Sequence, residues 1–136
     1  MSEDYRIVEM TEAECWQTLE RERFGRLAVA VGGDPDIFPI NFIVDDGVLL
    51  MRTAPGTKLT ELVINAAVAV ETDGQADTQA WSVILKGRAR MVDSFSETYA
   101  DDAKALETWL PSDKPIYVEI AARSLSGRRF FRGSAV

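Results

Sequence analysis

The chain of 136 residues contains no histidine and one cysteine, Cys15. The first absence removes the commonest general base and the commonest metal ligand. It also excludes haem ligation through an axial imidazole. A lone cysteine forms neither an intramolecular disulfide nor a thiolate metal cluster. Basic residues are scarce: 15 Lys and Arg face 22 Asp and Glu, for a net charge of -7. A surface of that sign repels phosphate backbones, so nucleic acid is not expected as a partner. Long apolar runs are missing as well, since none approaches the roughly 20 residues that span a bilayer. The first ten residues are polar and charged, unlike a secretory signal. With the single thiol, this leads us to expect a cytoplasmic protein away from the membrane. Any chemistry is left to carboxylates, hydroxyls, Lys and Arg, or to a bound cofactor.

What remains is a globular composition, 46% apolar and 27% charged, and a length that suits one domain over residues 1–136. Thr11 to Glu22 reads as a helix, with Thr11 and Glu14 forming a capping box and Cys15, Trp16 and Leu19 an apolar stripe. Strands are expected at Leu27–Val31, Ile37–Val44 and Val48–Thr53, as an antiparallel meander. Turns are expected at Gly32–Pro35 and at Asp45-Asp46-Gly47. A short helix over Gly56–Asn65, with Leu59, Leu62 and Val63 inward, precedes a strand at Ala67–Thr72 and a turn over Asp73–Thr78. Ala80–Val92 alternates as a half-buried strand does: Val83, Leu85, Ala89 and Met91 on one face, Ser82, Lys86, Arg88 and Arg90 on the other. A capped helix over Glu97–Leu110 and strands at Ile116–Ala121 and Leu125–Phe131 complete the pattern. Strand pairs joined by tight turns do not match a repeated strand–helix–strand unit, so the expected fold is mostly β, an antiparallel barrel with peripheral helices.

One segment carries chemistry. Arg52-Thr53-Ala54-Pro55-Gly56-Thr57-Lys58-Leu59 runs from a strand end through a turn into the expected helix start. Backbone amides and the helix dipole favour an anion there, and Arg52, Thr53, Thr57 and Lys58 add side-chain donors. A phosphate fits this set, although the Walker A spacing is absent. The same residues also suit a plain solvated turn. Ser126 to Phe131 places two Arg beside two Phe, which serves either to clamp a flat anion or to pack a terminal strand.

These segments resemble the pyridoxamine 5'-phosphate oxidase-like group of FMN-binding split barrels. The likeness rests on Arg52–Leu59, on Trp81-Ser82-Val83-Ile84-Leu85-Lys86-Gly87-Arg88-Ala89, and on Pro39-Ile40-Asn41-Phe42. It implies an antiparallel split β-barrel and a homodimer with FMN at the interface. It also implies a flavin-dependent oxidoreductase acting on a small molecule. Carried over by position, Arg52, Thr53, Thr57 and Lys58 correspond to FMN phosphate contacts, with Leu59 closing the segment. Pro39, Ile40, Asn41 and Phe42 would run along the isoalloxazine ring, partly through backbone atoms. Ser82 stands where the group often has a flavin-touching Gln, and Arg128 near a C-terminal Arg that contacts the cofactor. The Arg and His with which the true oxidases orient the vitamin are missing from Ser124–Arg128. Vitamin B6 oxidation is therefore not expected. Two alternatives stay open: a deazaflavin-dependent reductase of the same fold, whose longer polyanionic tail needs an extra basic groove, and a non-catalytic flavin-binding, sequestering or redox-sensing module. Trp16, Trp81, Trp109 and Cys15 are expected to pack, not to react.

Overall fold

The local signals near the start of the chain hold. Helix α1 (Glu12–Glu22) is capped by Thr11, whose hydroxyl accepts from the Glu14 N–H at 3.2 Å while the Glu14 carboxylate accepts from the Thr11 N–H at 3.0 Å. Two of the four orphan amides of the first turn are satisfied this way. Arg23 ends the helix in the left-handed region at φ 59°. Cys15, Thr18 and Leu19 are the residues it buries. The computed structural model describes residues 5–53, 56, 61–62, 64–92 and 116–133.

Among the described residues there are eight strands: β1 (Tyr5–Glu9), β2 (Phe24–Val31), β3 (Asp34–Asn41), β4 (Ile43–Asp45), β5 (Val48–Thr53), β6 (Ala67–Ala76), β7 (Gln79–Val92) and β8 (Ile116–Arg132). They form one sheet in the order β3-β2-β6-β7-β8-β5-β4, with β1 added to β8, and every pairing is antiparallel. Its two ends, β3 and β4, are consecutive in the chain and separated only by Phe42, so the chain itself joins the sheet's edges. Inward residues of six strands meet in one core: Leu27 and Val29, Ile40, Leu49 and Met51, Val70, Val83 and Leu85, Val118 and Ile120. Leu19 and Cys15 of α1 join it, as do Met10, Phe42, Leu62 and Val68. Removing this apolar surface from water is the main driving force for the fold. The expected antiparallel barrel is what the chain builds.

Several expectations are corrected in detail. Ile37–Val44 is not one strand of a meander: β3 pairs with β2, β4 pairs with β5, and the run breaks at Phe42. Phe42 is the cause. Its ring is buried in the core and its N–H donates to the Arg23 carbonyl at 3.0 Å. The turn after β2 is Gly32-Gly33 alone, and Asp34-Pro35 already belongs to β3. Asp73–Ala76 is strand, because ten residues of β6 pair with β7 and displace the turn to Asp77-Thr78. Ile116–Ala121 and Leu125–Phe131 are one strand of 17 residues. Arg123 is the unpaired residue of a bulge where Lys86↔Ser124 is followed by Gly87↔Ala122. β1 was not expected, and Met91 shares the face of Val83 and Leu85, opposite Val118, but is exposed there. The Asp45-Asp46-Gly47 turn is as expected, with Asp46 at φ 44° and Gly47 at φ 81°, the geometry of a tight hairpin. Of the Gly56–Asn65 helix, the described residues Glu61, Leu62 and Ile64 are helical, with Asn65 N–H donating to the Glu61 carbonyl at 2.9 Å. Leu62 is buried. The expected helix over Glu97–Leu110, with Trp109, lies outside the described residues. Among the described residues no helix is long and apolar enough to cross a membrane.

Candidate functional site

Arg52 and Thr53 are the last residues of β5 and lie across from Tyr117 and Ile116 of β8. The β4–β5 ladder runs from Asp45↔Val48 to Ile43↔Leu50. Continued, its register would set Asn41 opposite Arg52 and Ile40 opposite Thr53. There β3 turns away to pair with β2, yet it stays close alongside β5. Pro39–Phe42 and Arg52–Thr53 are thereby brought together where the two strands part. Their side chains point differently. Pro39 is exposed, Asn41 half-buried, and Ile40 and Phe42 are sealed in the core. A ligand along this segment therefore meets Pro39, Asn41 and backbone atoms, and the Ile40 and Phe42 side chains serve the core.

Arg52 is half-buried, and among the described residues its Nε is buried without a hydrogen-bond partner. An unpaired donor out of reach of water costs about 1–3 kcal/mol, so proteins seldom keep one without a use. A phosphate oxygen is an acceptor that such a charged donor fits, as is a carboxylate oxygen. Thr53 beside it is buried. Thr57, Lys58 and Leu59 lie outside the described residues.

Ser82 and Arg128 form a second cluster. They are directly paired in the β7–β8 ladder, and Arg128 is paired on its other side with Glu9 of β1. The row Ser82–Arg128–Glu9 crosses a cleft of about 490 Å³ whose walls include Met10, Ile84 and Phe130. Ile84 and Phe130 are unusually exposed for apolar residues, at 39% and 37%. Glu9, Met10, Ile84 and Phe130 were not anticipated as site residues. Glu9 ends β1, Met10 follows it and is buried, and Ile84 and Phe130 stand on the outward faces of β7 and β8. This cluster is far from Arg52 along the sheet: from Tyr117, beside Arg52, to Arg128 the strand runs roughly 36 Å at ~3.3 Å per residue. The two clusters thus stand eleven residues apart along β8, at opposite ends of that strand.

The remaining candidates settle into packing. Burial pushes the Cys15 thiol up from its ordinary value, the opposite of what a nucleophile needs. Trp81 packs flat on Gly74, with the Arg21 guanidinium 5.3 Å from its ring centre. Trp16 packs on the core. Arg90 is held by Glu119 at 3.2 Å and Arg129 by Gln79 at 3.2 Å. No group of three or more potential metal ligands is present among the described residues.

Comparison with known proteins bears on the family and the fold. A family model described as pyridoxamine 5'-phosphate oxidase matches residues 11–129. An uncharacterized protein of Mycobacterium tuberculosis is 32% identical over 88 residues, covering 65% of this chain and 80% of that one. The FAD-binding protein of Mycobacterium smegmatis superposes with a TM-score of 0.72 at 37% identity, over 91% of this chain and 97% of the other. An FAD-binding protein of Mesorhizobium loti superposes with a TM-score of 0.82 at 23% identity, over 93% and 98% of the two chains, and speaks to the fold alone.

Proposed function

The chain belongs to the pyridoxamine 5'-phosphate oxidase family, and from that premise we propose that it is a flavin-binding oxidoreductase that acts as a homodimer on a small molecule. The observation that carries the reading is the buried Arg52 Nε, partnerless among the described residues, at the parting of β3 and β5. It supports a phosphate held at that point, with the Thr53 end of β5 beside it and Thr57 and Lys58 following in the chain. The flat ring lies along Pro39 and Asn41, where the strand offers backbone atoms and one exposed apolar side chain.

The separation of the two clusters supports a dimer. A flavin anchored at Arg52 does not reach Ser82 and Arg128 of the same chain along the strand, so a second copy supplies them. Ser82 then offers a hydroxyl to the polar edge of the ring, and Arg128 a cation to its electron-rich pyrimidine side. Met10, Ile84 and Phe130 keep water from the ring face. A bound flavin supplies reversible acceptance of a hydride or of single electrons, which asks no histidine of the protein. With no histidine in the chain, the substrate is one whose transfer needs no imidazole, and the vitamin B6 reaction is set aside.

FMN is the smallest ligand that uses all of these contacts. FAD contains the same phosphorylated riboflavin and has precedent in the Mycobacterium smegmatis relative. Titrating the purified protein with FMN should quench flavin fluorescence saturably, and no saturable change at high micromolar FMN overturns the proposal. The absorption spectrum of the protein as isolated separates flavin from deazaflavin. Anaerobic bleaching of the bound flavin by a reduced nicotinamide separates an oxidoreductase from a module that only carries flavin.

A further inference from the structure

The outer face of the sheet carries a second concavity that the flavin contacts do not use. A groove of about 650 Å³ lies across β2, β6, β7 and β8. Its floor is set by alanine: Ala28 and Ala30 on β2, Ala67 and Ala69 on β6. Alanine is a poor strand former, and β-branched or aromatic residues are the rule at half-buried strand positions. Four alanines on the outward face of two neighbouring strands therefore leave a hollow where larger side chains would fill one. A single cross-strand row, Ile37–Ala28–Ala69–Lys86–Ser124, runs the width of the groove. At one end of that row stands Ile37, 68% exposed. At the other, Lys86 and Arg123 line the groove, and Arg88 is paired with Ala67 in the next row.

The charges decide the occupant. Among the described residues Lys86, Arg88 and Arg123 make no ion pair, although the chain has seven more acidic than basic residues overall. Arg26, one row away, is by contrast engaged by Glu71 and Asp73, both at 3.5 Å. Two cations lining an apolar floor, with a third beside Ala67 in the next row, match a flat ring that carries phosphates. The volume lies within the roughly 300–1,000 Å³ of pockets that enclose ligands of nucleotide size. We infer that this groove binds an adenosine phosphate, with the purine on the alanine floor and the phosphates against Lys86, Arg88 and Arg123. Such a group reaches the protein as the adenosine half of a flavin dinucleotide or as a free adenine nucleotide.

The experiment uses ADP as the probe, with the full chain, by calorimetry. Saturable ADP binding that falls at least tenfold in Ala69→Phe and in Lys86→Glu supports the site. Both positions point outward and neither is among the proposed flavin contacts, so FMN titration of the same variants should be unchanged. If FAD binds at least tenfold tighter than FMN and loses that advantage in both variants, the adenosine half is the cofactor's own. Equal affinity for FAD and FMN beside groove-dependent ADP binding identifies a free nucleotide. The inference is overturned if ADP shows no binding up to about 1 mM and FAD has no advantage over FMN. ADP binding indifferent to both variants also overturns it. So does a change of oligomeric state in the variants without any ADP binding, which would make the groove a seat for a second copy. Because FMN binding is read separately, failure of the groove and failure of the flavin reading are distinguishable.

Discussion

Replacing Arg52 by methionine tests the phosphate anchor from two sides. Methionine keeps most of the apolar stem that passes through the half-buried site and removes the guanidinium. A hydrogen bond between a charged donor and a phosphate contributes about 1.5–3 kcal/mol. At about 1.4 kcal/mol per decade, Arg52→Met should weaken FMN by roughly 10- to 150-fold. Riboflavin has no phosphate and should weaken little. The flavin-free protein behaves the other way. Its Arg52 Nε is buried without a partner among the described residues, and removing that donor relieves a cost of about 1–3 kcal/mol. The melting temperature without flavin should therefore hold or rise by a few degrees. Fluorescence titrations with FMN and with riboflavin, beside thermal melts of the flavin-free proteins, measure all of this. Equal loss for both ligands, or a flavin-free variant that melts several degrees lower, would show that Arg52 serves the fold instead.

Two further perturbations bear on stability. Glu71 is pushed up to about 7, first by burial and then by its hydrogen bond with Asp73, against the pull of Arg26. Glu61 is pushed up to about 7, first by its hydrogen bond with Asp36 and then by burial. Both lie above the ordinary 4.5, so the folded chain keeps protons that the unfolded chain has released, and stability falls as pH rises from about 4.5 through about 7. The melting temperature should drop across that window and drop less in the Glu61→Gln, Glu71→Gln double variant; parallel profiles for the two proteins would refute the assignment. In Gly87→Ala, a Cβ on the buried Gly87 runs into the Ala121 carbonyl at the bulge. The substitution should cost about 1–3 kcal/mol or more in urea unfolding, and a stability equal to wild type would show that the bulge yields freely.

What the sequence revealed was local. The Thr11–Glu14 box and the Asp46-Gly47 turn each act within four residues, so their chemistry is visible without a fold. Strands that depend on a distant partner were hidden. Tyr5–Glu9 becomes a strand only by pairing with Glu9↔Arg128 through Tyr5↔Arg132. Asp73–Ala76 contains Asp, Gly, Gln and Ala, poor strand formers that β7 holds extended. Ala122–Ser124 interrupts the alternation of β8, and only the bulge at Arg123 explains how the strand continues. The site divides along the same line. Arg52 at a strand end is legible as the proposed anion site, and Ser82 and Arg128 are legible one by one. That Ser82 and Arg128 are neighbours, with Glu9 beyond them, is a fact of strand pairing. The alanine groove had a signal, the repeat of Ala at alternate positions 28, 30, 67 and 69, but it gains meaning only when β2 and β6 lie side by side.

β8 borders β7 along one edge, and on the other edge β5 and then β1. The strand that three others need is the last of the eight to be synthesised. Until Ile116–Arg132 has emerged, β1 and β5 have no partner on that side, and Ile7 and Val8 wait with an unsatisfied edge. Closing β1 onto β8 joins residues at nearly opposite ends of the described chain, a contact pattern that makes folding slow. Vectorial synthesis thus gives this protein little head start: β2, β3 and β6 can assemble early, but the barrel is licensed only by its final strand. A break within β8 would leave three orphaned edges at once, so its loss should lead to aggregation sooner than to a smaller folded domain.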